Sequence, residues 1–368
     1  MAAPVPLLDL FSGVGGFSLA LRGVCRTVAY CEIDPDCRAV LEARMADGTL
    51  DAAPVFSDVT QLTAQSLPRA SAPMLLTAGF PCQNISAGGQ RNGLHGERSC
   101  LFFQVPRLLD ELGPSAVGAV LLENSPCIRG RGLPEVLQAL EQRGFRCRWG
   151  IFSPAELGAP QRRWRWYLLG VRAGFSLGSG PPPRAWAQEP PPEERVTTSV
   201  THEEVQRRCG MLGNSVCPPV VLHAVRCLQE PGGQYARADA ARLRPPATEL
   251  RVLRPGSEHE VVRTSRFWST PVRHPIYWQV LAKELWLGKR SCRNLYNQLV
   301  YEAATRAALG PAAPERFRVN PAWVEWLMGY PPGYTLTAHR ECHAKHARSA
   351  CHAKRALTAA ESAQGACA

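Results

Sequence analysis

The chain contains no uninterrupted apolar run near the ~18–20 residues that a membrane-crossing helix requires. Its first residues, MAAPVPLLDLF, carry neither the basic start nor the cleavage site of a secretory signal. These absences point away from a membrane partner and toward an intracellular location: the nucleus in a eukaryote, the cytoplasm or nucleoid in a prokaryote or virus. CxxC pairs are also missing. The 14 cysteines are scattered without a framework, which argues against a disulfide scaffold and suits a reducing compartment in which most thiols are buried bystanders. No internal repeat is present, so the chain is not a repeat array. Acidic residues are in deficit, 31 Asp+Glu against 42 Lys+Arg for a net charge of +11, and a polyanion such as nucleic acid is the partner this favours.

What is present is a chain of 368 residues, 45% hydrophobic and 20% charged, long enough for two domains. Apolar strand patterns alternate with helical ones. Strands are expected at VPLLDLF (5–11), TVAYCE (27–32), PVFSDV (54–59), MLLTAGF (74–80) and AVGAVLLEN (116–124). Helices are expected after the SGVGG turn, from Asp34-Pro35, near 98–112 and from Pro134 to Arg143. Such alternation implies an α/β fold with a mostly parallel sheet covered on both faces. FRCRWGIF (145–152) and RWYLLGV (165–171) add a closing antiparallel pair. A proline-rich linker follows at 173–200, and a helical pattern resumes over 202–228. Residues 229–319 carry 15 Lys+Arg against 8 Asp+Glu, with aromatics interleaved among the arginines, for example Arg266-Phe267-Trp268 and Arg273-His274. That mixture suits phosphate contact and base stacking. The last residues, 338–368, read as a disordered tail.

Several strand ends carry chemistry. Asp9-Leu10-Phe11-Ser12-Gly13-Val14-Gly15-Gly16 places a tight turn after the first strand, where backbone can approach a ligand. It lacks the full GxGxxG spacing, which favours a nucleoside over a dinucleotide. The second strand ends in Glu32, suited to ribose hydroxyls, and the third in Asp58, suited to an adenine amino group; singly, each acid reads as a helix cap or solvated charge. After the fourth strand, Gly79-Phe80-Pro81-Cys82-Gln83-Asn84 displays Cys82 at the carboxyl edge of the sheet, where open α/β sheets bind ligands. A nucleophilic thiol needs positive neighbours, and Arg91, Arg98, Arg163 and Arg165 are available. The fifth strand ends in Glu123, which would set a carboxyl group beside the Cys82 loop, where it could be held protonated and donate to a ring nitrogen.

DLFSGVGGF, CEIDPDC, SDV, GFPCQNIS, GLHGERSCLF, ENSP, PQRRWRW and GNSVCPPVV, in this order over roughly 5–225, resemble the motif series of the DNA cytosine-5 methyltransferases. The resemblance implies a Rossmann-like methyltransferase sheet with a small target-recognition domain, S-adenosyl-L-methionine as cofactor, and double-stranded DNA as partner of a monomer. It implies a cofactor pocket of Phe11, Ser12, Gly13, Gly15, Gly16, Glu32, Ile33, Asp58, Val59, Pro81, Asn214 and Ser215. Cys82 would be the nucleophile that adds to cytosine carbon 6, and Glu123 the partner of ring nitrogen 3. Arg163 and Arg165 would contact base and backbone. Gln83, Ser86, Arg98, Arg266 and Arg273 would contact the nucleic acid, and the target base would leave the duplex stack. No metal is implied.

The order departs from the usual one. Only about 48 proline-rich residues separate QRRWR from GNSV, too few for a typical recognition domain, whereas NPAWVEWLMGYP (320–331) resembles a packing motif normally found before GNSV. The expected arrangement, similar to that of some viral and phage-like members, is a catalytic body of 1–228 with 320–337 packing back onto it, and 229–319 as recognition module. Competing readings are a tRNA cytosine-5 methyltransferase, a catalytically silent DNA-binding relative, an amino-methyltransferase reading of Asn320-Pro321-Ala322-Trp323, and a zinc cluster of Cys342, His343, His346, Cys351 and His352.

Overall fold

The computed structural model describes residues 3–81, 99–161, 163–178, 180, 186–188, 190, 194, 196–230 and 318–337. Their centre is a seven-stranded sheet of β1 (Val5–Leu10), β2 (Cys25–Cys31), β3 (Val55–Phe56), β4 (Met74–Ala78), β5 (Val117–Asn124), β6 (Phe145–Phe152) and β7 (Arg165–Arg172), in the order β3-β2-β1-β4-β5-β7-β6. β1, β2, β3, β4 and β5 pair in parallel, whereas β7 runs antiparallel to both β5 and β6. This is a Rossmann-like sheet, as expected from the alternation of strands and helices. The order reverses between β1 and β4, so the loops leaving their carboxyl ends splay apart and open a crevice there.

Side chains alternate across the strands because the strand repeat is two residues. Leu7, Leu75, Leu121 and Leu169 face one apolar layer, and Leu8, Leu76, Leu122 and Leu168 the other. The first layer is closed by α1 (Gly16–Leu21), α5 (His202–Asn214), α6 (Pro218–Gln229) and α7 (Pro321–Leu327). The second is closed by α3 (Gln104–Leu112) and α4 (Leu133–Glu141). α2 (Pro35–Ala46) follows β2 and begins where expected: Asp34 caps it by accepting the Asp36 amide at 2.9 Å, and Pro35 occupies the first turn, where no amide is missed. The region expected to be helical near 98–112 opens with a 3-10 turn, Ser99–Phe103, before α3 begins.

Two expectations are corrected here. The 202–228 pattern is two helices, because Pro218-Pro219 cannot continue α5 and confines Cys217 to extended backbone, leaving Ser215-Val216-Cys217 as a break. The strand expected over 54–59 spans only Val55–Phe56, since Asp58 turns the chain by accepting the Thr60 amide at 2.8 Å.

Within the proline-rich stretch, the Phe175 ring fills the space that a side chain at Gly118 of β5 would need, and Trp186 packs against the first layer. β8 (Val196–Thr197) pairs antiparallel with β9 (Arg318–Val319), bringing residues 318–337 back to the body. There Trp323, Val324, Leu327, Met328, Tyr330 and Tyr334 are buried with Phe17 and Val216. Among the described residues, no helix is long and apolar enough to cross a membrane, and no group of metal-ligating side chains converges. The tail cysteines and histidines lie outside the described residues.

Candidate active site

The turn after β1 is built from the strand outward. Asp9 is fully buried, its carboxylate taking hydroxyl hydrogen bonds from Ser18 and Thr77, each at 2.8 Å. Burial pushes its pKa up to about 7 against the pull of those donors. Ser12 is internal too: its hydroxyl donates to the Asp9 carbonyl at 2.6 Å and accepts the Cys31 amide at 3.1 Å. Phe11 turns the chain with φ +53°, alone among the described non-glycine residues in the left-handed region, and so ends β1 one residue before the expected 5–11 strand. Gly13 also has a positive φ, and nothing lies within 4 Å of where its Cβ would stand, so the turn is open on that side.

Glu32, at the end of β2, closes over this turn. Its two carboxylate oxygens accept the amides of Gly13 at 2.7 Å and Asp34 at 2.8 Å, and burial raises its pKa while those amides oppose the rise. The next residue, Ile33, is 73% exposed, an unusual position for a large apolar side chain. Asp58 is bound by Thr60 through both amide and hydroxyl, which hold its pKa below the ordinary value. Val59 is buried, Pro81 is half-buried, and Asn214 is exposed at the end of α5.

Across the crevice, the β4 and β5 loops are tied together. Asn124, 1% exposed, donates its side-chain amide to the Phe80 carbonyl at 3.1 Å and accepts the Ser125 amide at 2.7 Å. This clamp lies two residues before Cys82, which itself lies outside the described residues, as do Gln83, Ser86, Arg98, Arg266 and Arg273. Glu123 faces the same loop: a Cβ on Gly79 would stand 3.6 Å from its Oε2. Its side chain is 12% exposed, and burial raises its pKa against the nearby Arg165 and Arg163 charges. The Arg165 Nε lies 3.2 Å from Glu123 Oε1. Arg163 is differently disposed: it is buried, and its Nη2 donates to the Gly213 and Ser215 carbonyls, both at 2.9 Å. It therefore staples the α5–α6 break to the start of β7. Ser215 is buried there, its hydroxyl on the Leu212 carbonyl at 2.9 Å.

A family model described as C-5 cytosine-specific DNA methylase matches residues 5–204, a span that includes the turn after β1, Glu32, Asp58 and the β4 and β5 loops. The chain belongs to that family. Among curated relatives, the type II methyltransferase M.CviJI of Paramecium bursaria Chlorella virus IL3A is 30% identical over 223 residues, 59% of this chain and 57% of the relative. The type II methyltransferase M.DsaV of Dactylococcopsis salina is 38% identical over 172 residues, 45% of each. The chain thus spans about half the length of these relatives. The crystal structure of S. pombe Dnmt2 methyltransferase overlays with a TM-score of 0.37 at 23% identity, over 47% of this chain and 53% of that one.

Three features of this crevice have roles that the sequence alone does not assign. Asn124 had a local signal, a lone amide at the end of the apolar run AVLLE. Arg163 as a staple had none, because its acceptors lie about fifty residues away. Gly16, which the resemblance assigns to the cofactor pocket, has a second demand that the sequence does not register: a Cβ there would come within 2.4 Å of the Tyr330 hydroxyl and 2.6 Å of Val216 Cγ2, so its smallness accommodates the returning segment. Asn320, offered as a rival catalytic amide, is the cap of α7 and accepts the Ala322 amide at 3.1 Å.

Proposed function

We propose that this protein is a DNA (cytosine-5) methyltransferase that uses S-adenosyl-L-methionine to methylate carbon 5 of a cytosine swung out of duplex DNA. The observation that carries the reading is Glu123: a carboxyl group with raised pKa, facing the Cys82 loop at the reversal point of a methylase-family sheet.

The crevice fits the methyl donor on its own chemistry. Open space beside Gly13 leaves room for a ligand against the turn, exposed Ile33 and half-buried Phe11 offer apolar surface to a purine, and Glu32 and Asp58 offer carboxylates to ribose and amino groups. Gly15, Pro81, Asn214 and Ser215 border this region in the proposed site. When bound, the donor supplies an electrophilic methyl group.

Cytosine carbon 5 is too weak a nucleophile to take that group unaided. In the proposed reaction the Cys82 thiolate bonds to carbon 6, and the electron pair of the 5,6 double bond moves into the ring. A protonated Glu123 donates to nitrogen 3 and neutralises the charge that develops there, and burial, which raises its pKa, favours that form. Arg165 keeps Glu123 oriented. After methylation, loss of the carbon 5 proton returns an electron pair to the 5,6 bond and expels the thiolate, restoring the free enzyme. Arg163 contributes by holding the α5–α6 break against β7. Residues 229–319 are proposed as the recognition module of a monomer, with Arg266 and Arg273 at phosphates and Gln83, Ser86 and Arg98 beside the extruded base.

The test is trapping. Duplex DNA bearing 5-fluorocytosine has no carbon 5 proton to lose, so with donor present it should form a denaturant-stable adduct with the protein and none with Cys82→Ser. Label transfer from methyl-tritiated donor to tRNA instead of DNA would reassign the substrate. A folded, donor-binding sample that labels neither would refute the activity.

A further inference from the structure

Two buried tyrosines in the returning segment 318–337 touch the donor side of the crevice, and the motif readings gave them no role. Tyr334 is 1% exposed and Tyr330 is 4% exposed, with ring centroids 4.8 Å apart. Their hydroxyls diverge. Tyr334 donates to the Val14 carbonyl at 2.9 Å, between the two positive-φ glycines of the turn after β1. Tyr330 donates to the Val216 carbonyl at 2.9 Å, in the break that Arg163 also holds. The turn is moulded around them, since a Cβ on Gly15 would stand 3.5 Å from the Tyr334 hydroxyl and one on Gly16 2.4 Å from that of Tyr330.

The segment is itself anchored independently of the turn. Arg44 of α2 donates to the Gly333 and Leu336 carbonyls, both at 3.3 Å, and lies over the Tyr334 ring at 5.6 Å. Buried Glu325 accepts Arg208 of α5 at 2.9 Å and the Gly333 and Thr335 amides at 2.6 and 2.7 Å. A rigid base that ends in two hydroxyls on two carbonyls can set where those carbonyls, and the peptides carrying them, stand.

We propose that Tyr334, through the Val14 carbonyl, is a positioning residue for the donor-binding turn, with Tyr330 setting the adjoining break at Val216. This rests on the donor site proposed above. Tyr334→Phe keeps the ring and removes only the hydroxyl. In the full-length protein it should weaken binding of S-adenosylhomocysteine about 5- to 20-fold by calorimetry. It should raise KM for the methyl donor by a similar factor, with kcat at saturating donor and KM for DNA within about twofold of wild type. Tyr330→Phe should act in the same direction and stands in if the first variant does not fold. Phe145→Leu, at the opposite end of the sheet, supplies the control for stability alone: it should lower the melting temperature without changing the Kd. An unchanged Kd in both tyrosine variants, or an equal rise in Phe145→Leu, would overturn the positioning role. Failure of the wild type to bind S-adenosylhomocysteine would instead overturn the donor site itself.

Discussion

Glu325→Gln breaks a buried ion pair that ties the returning segment 318–337 to α5. Glu325 is fully buried and takes Arg208 Nη2 at 2.9 Å, the Gly333 and Thr335 amides, and the Thr335 hydroxyl at 2.5 Å. Arg208 is nearly as buried; its other contacts are the Thr335 hydroxyl at 2.8 Å and the half-exposed Glu204 at 3.6 Å. Gln has the same shape but no charge, and its NH2 faces donors on at least one side. Removing one partner of a buried pair typically costs about 3–5 kcal/mol, because the remaining charge stays desolvated. For a body of this size, about 2 °C of melting temperature per kcal/mol turns that into a fall of about 6–10 °C by calorimetry or differential scanning fluorimetry. The geometry also dictates an order. Arg208→Leu leaves Glu325 with two amides and a hydroxyl, whereas Glu325→Leu strands Arg208 and both amides together, so Glu325→Leu should be the more damaging. A fall below about 2 °C for Glu325→Gln, or Arg208→Leu proving worse than Glu325→Leu, would refute this account of the network.

Gly16→Ala should destabilise the protein by about 1–3 kcal/mol, the usual cost of overpacking, and shaving both obstacles with Tyr330→Phe and Val216→Ala should recover part of it; chemical denaturation of the single and combined variants reads the coupling, and additive losses would count against the contact. Asn124→Ala should free the Phe80 carbonyl and slow turnover without abolishing donor binding, which single-turnover kinetics beside calorimetry would separate. Asp9 makes stability depend on pH: its carboxyl titrates near the ordinary 3.8 when unfolded and about 7 when folded, so between those values the native form holds a proton that the unfolded form has lost. Its contribution is therefore fully present below about 4, declines as pH rises, and levels off above about 7, a span of at most about 4 kcal/mol. Asp9→Asn should remove that slope from urea-denaturation midpoints taken between pH 4.5 and 7.5; a difference from wild type that does not vary across the range would refute the assignment. Binding to duplex DNA should weaken steeply with salt as phosphates shed counterions, and a flat response in filter binding would remove residues 229–319 from the interface.

How much of this was readable beforehand follows from which interactions are local. The strands were legible because runs such as MLLTA and VGAVLLEN bury both faces of a parallel sheet and so show continuous apolarity. The Asp34-Pro35 helix start was legible because a cap and its target amide are two residues apart. The break at Ser215-Val216-Cys217 is written in Pro218-Pro219, but the apolar spacing runs on through it and masks the break. By contrast, Glu325 and Arg208 are ordinary charged residues in any short window, and what distinguishes them is a partner 117 positions away. The one local hint is that Glu325 is the only charge in PAWVEWL, a helix otherwise apolar.

The glycine turn shows the same division within a single motif. Gly13 fits the ligand-facing reading, with open space where its side chain would be, while Gly15 and Gly16 are enclosed by Leu41, Leu50, Val216 and the two tyrosine hydroxyls. The SGVGG pattern is therefore set from two sides: a crevice that must stay open and a returning segment that must dock close. Sequence spacing registers both demands as the same residue type. That is why a segment lying more than three hundred residues along the chain belongs to the architecture of its first turn, and why substitutions at Gly13 and Gly16 should fail differently. Gly13→Ala should lower donor affinity through its φ of +53°, whereas Gly16→Ala should lower stability first, and a thermal melt run with and without S-adenosylhomocysteine distinguishes the two. If both variants lost the same amount of stability and of ligand-induced shift, the two-sided origin of the motif would be wrong.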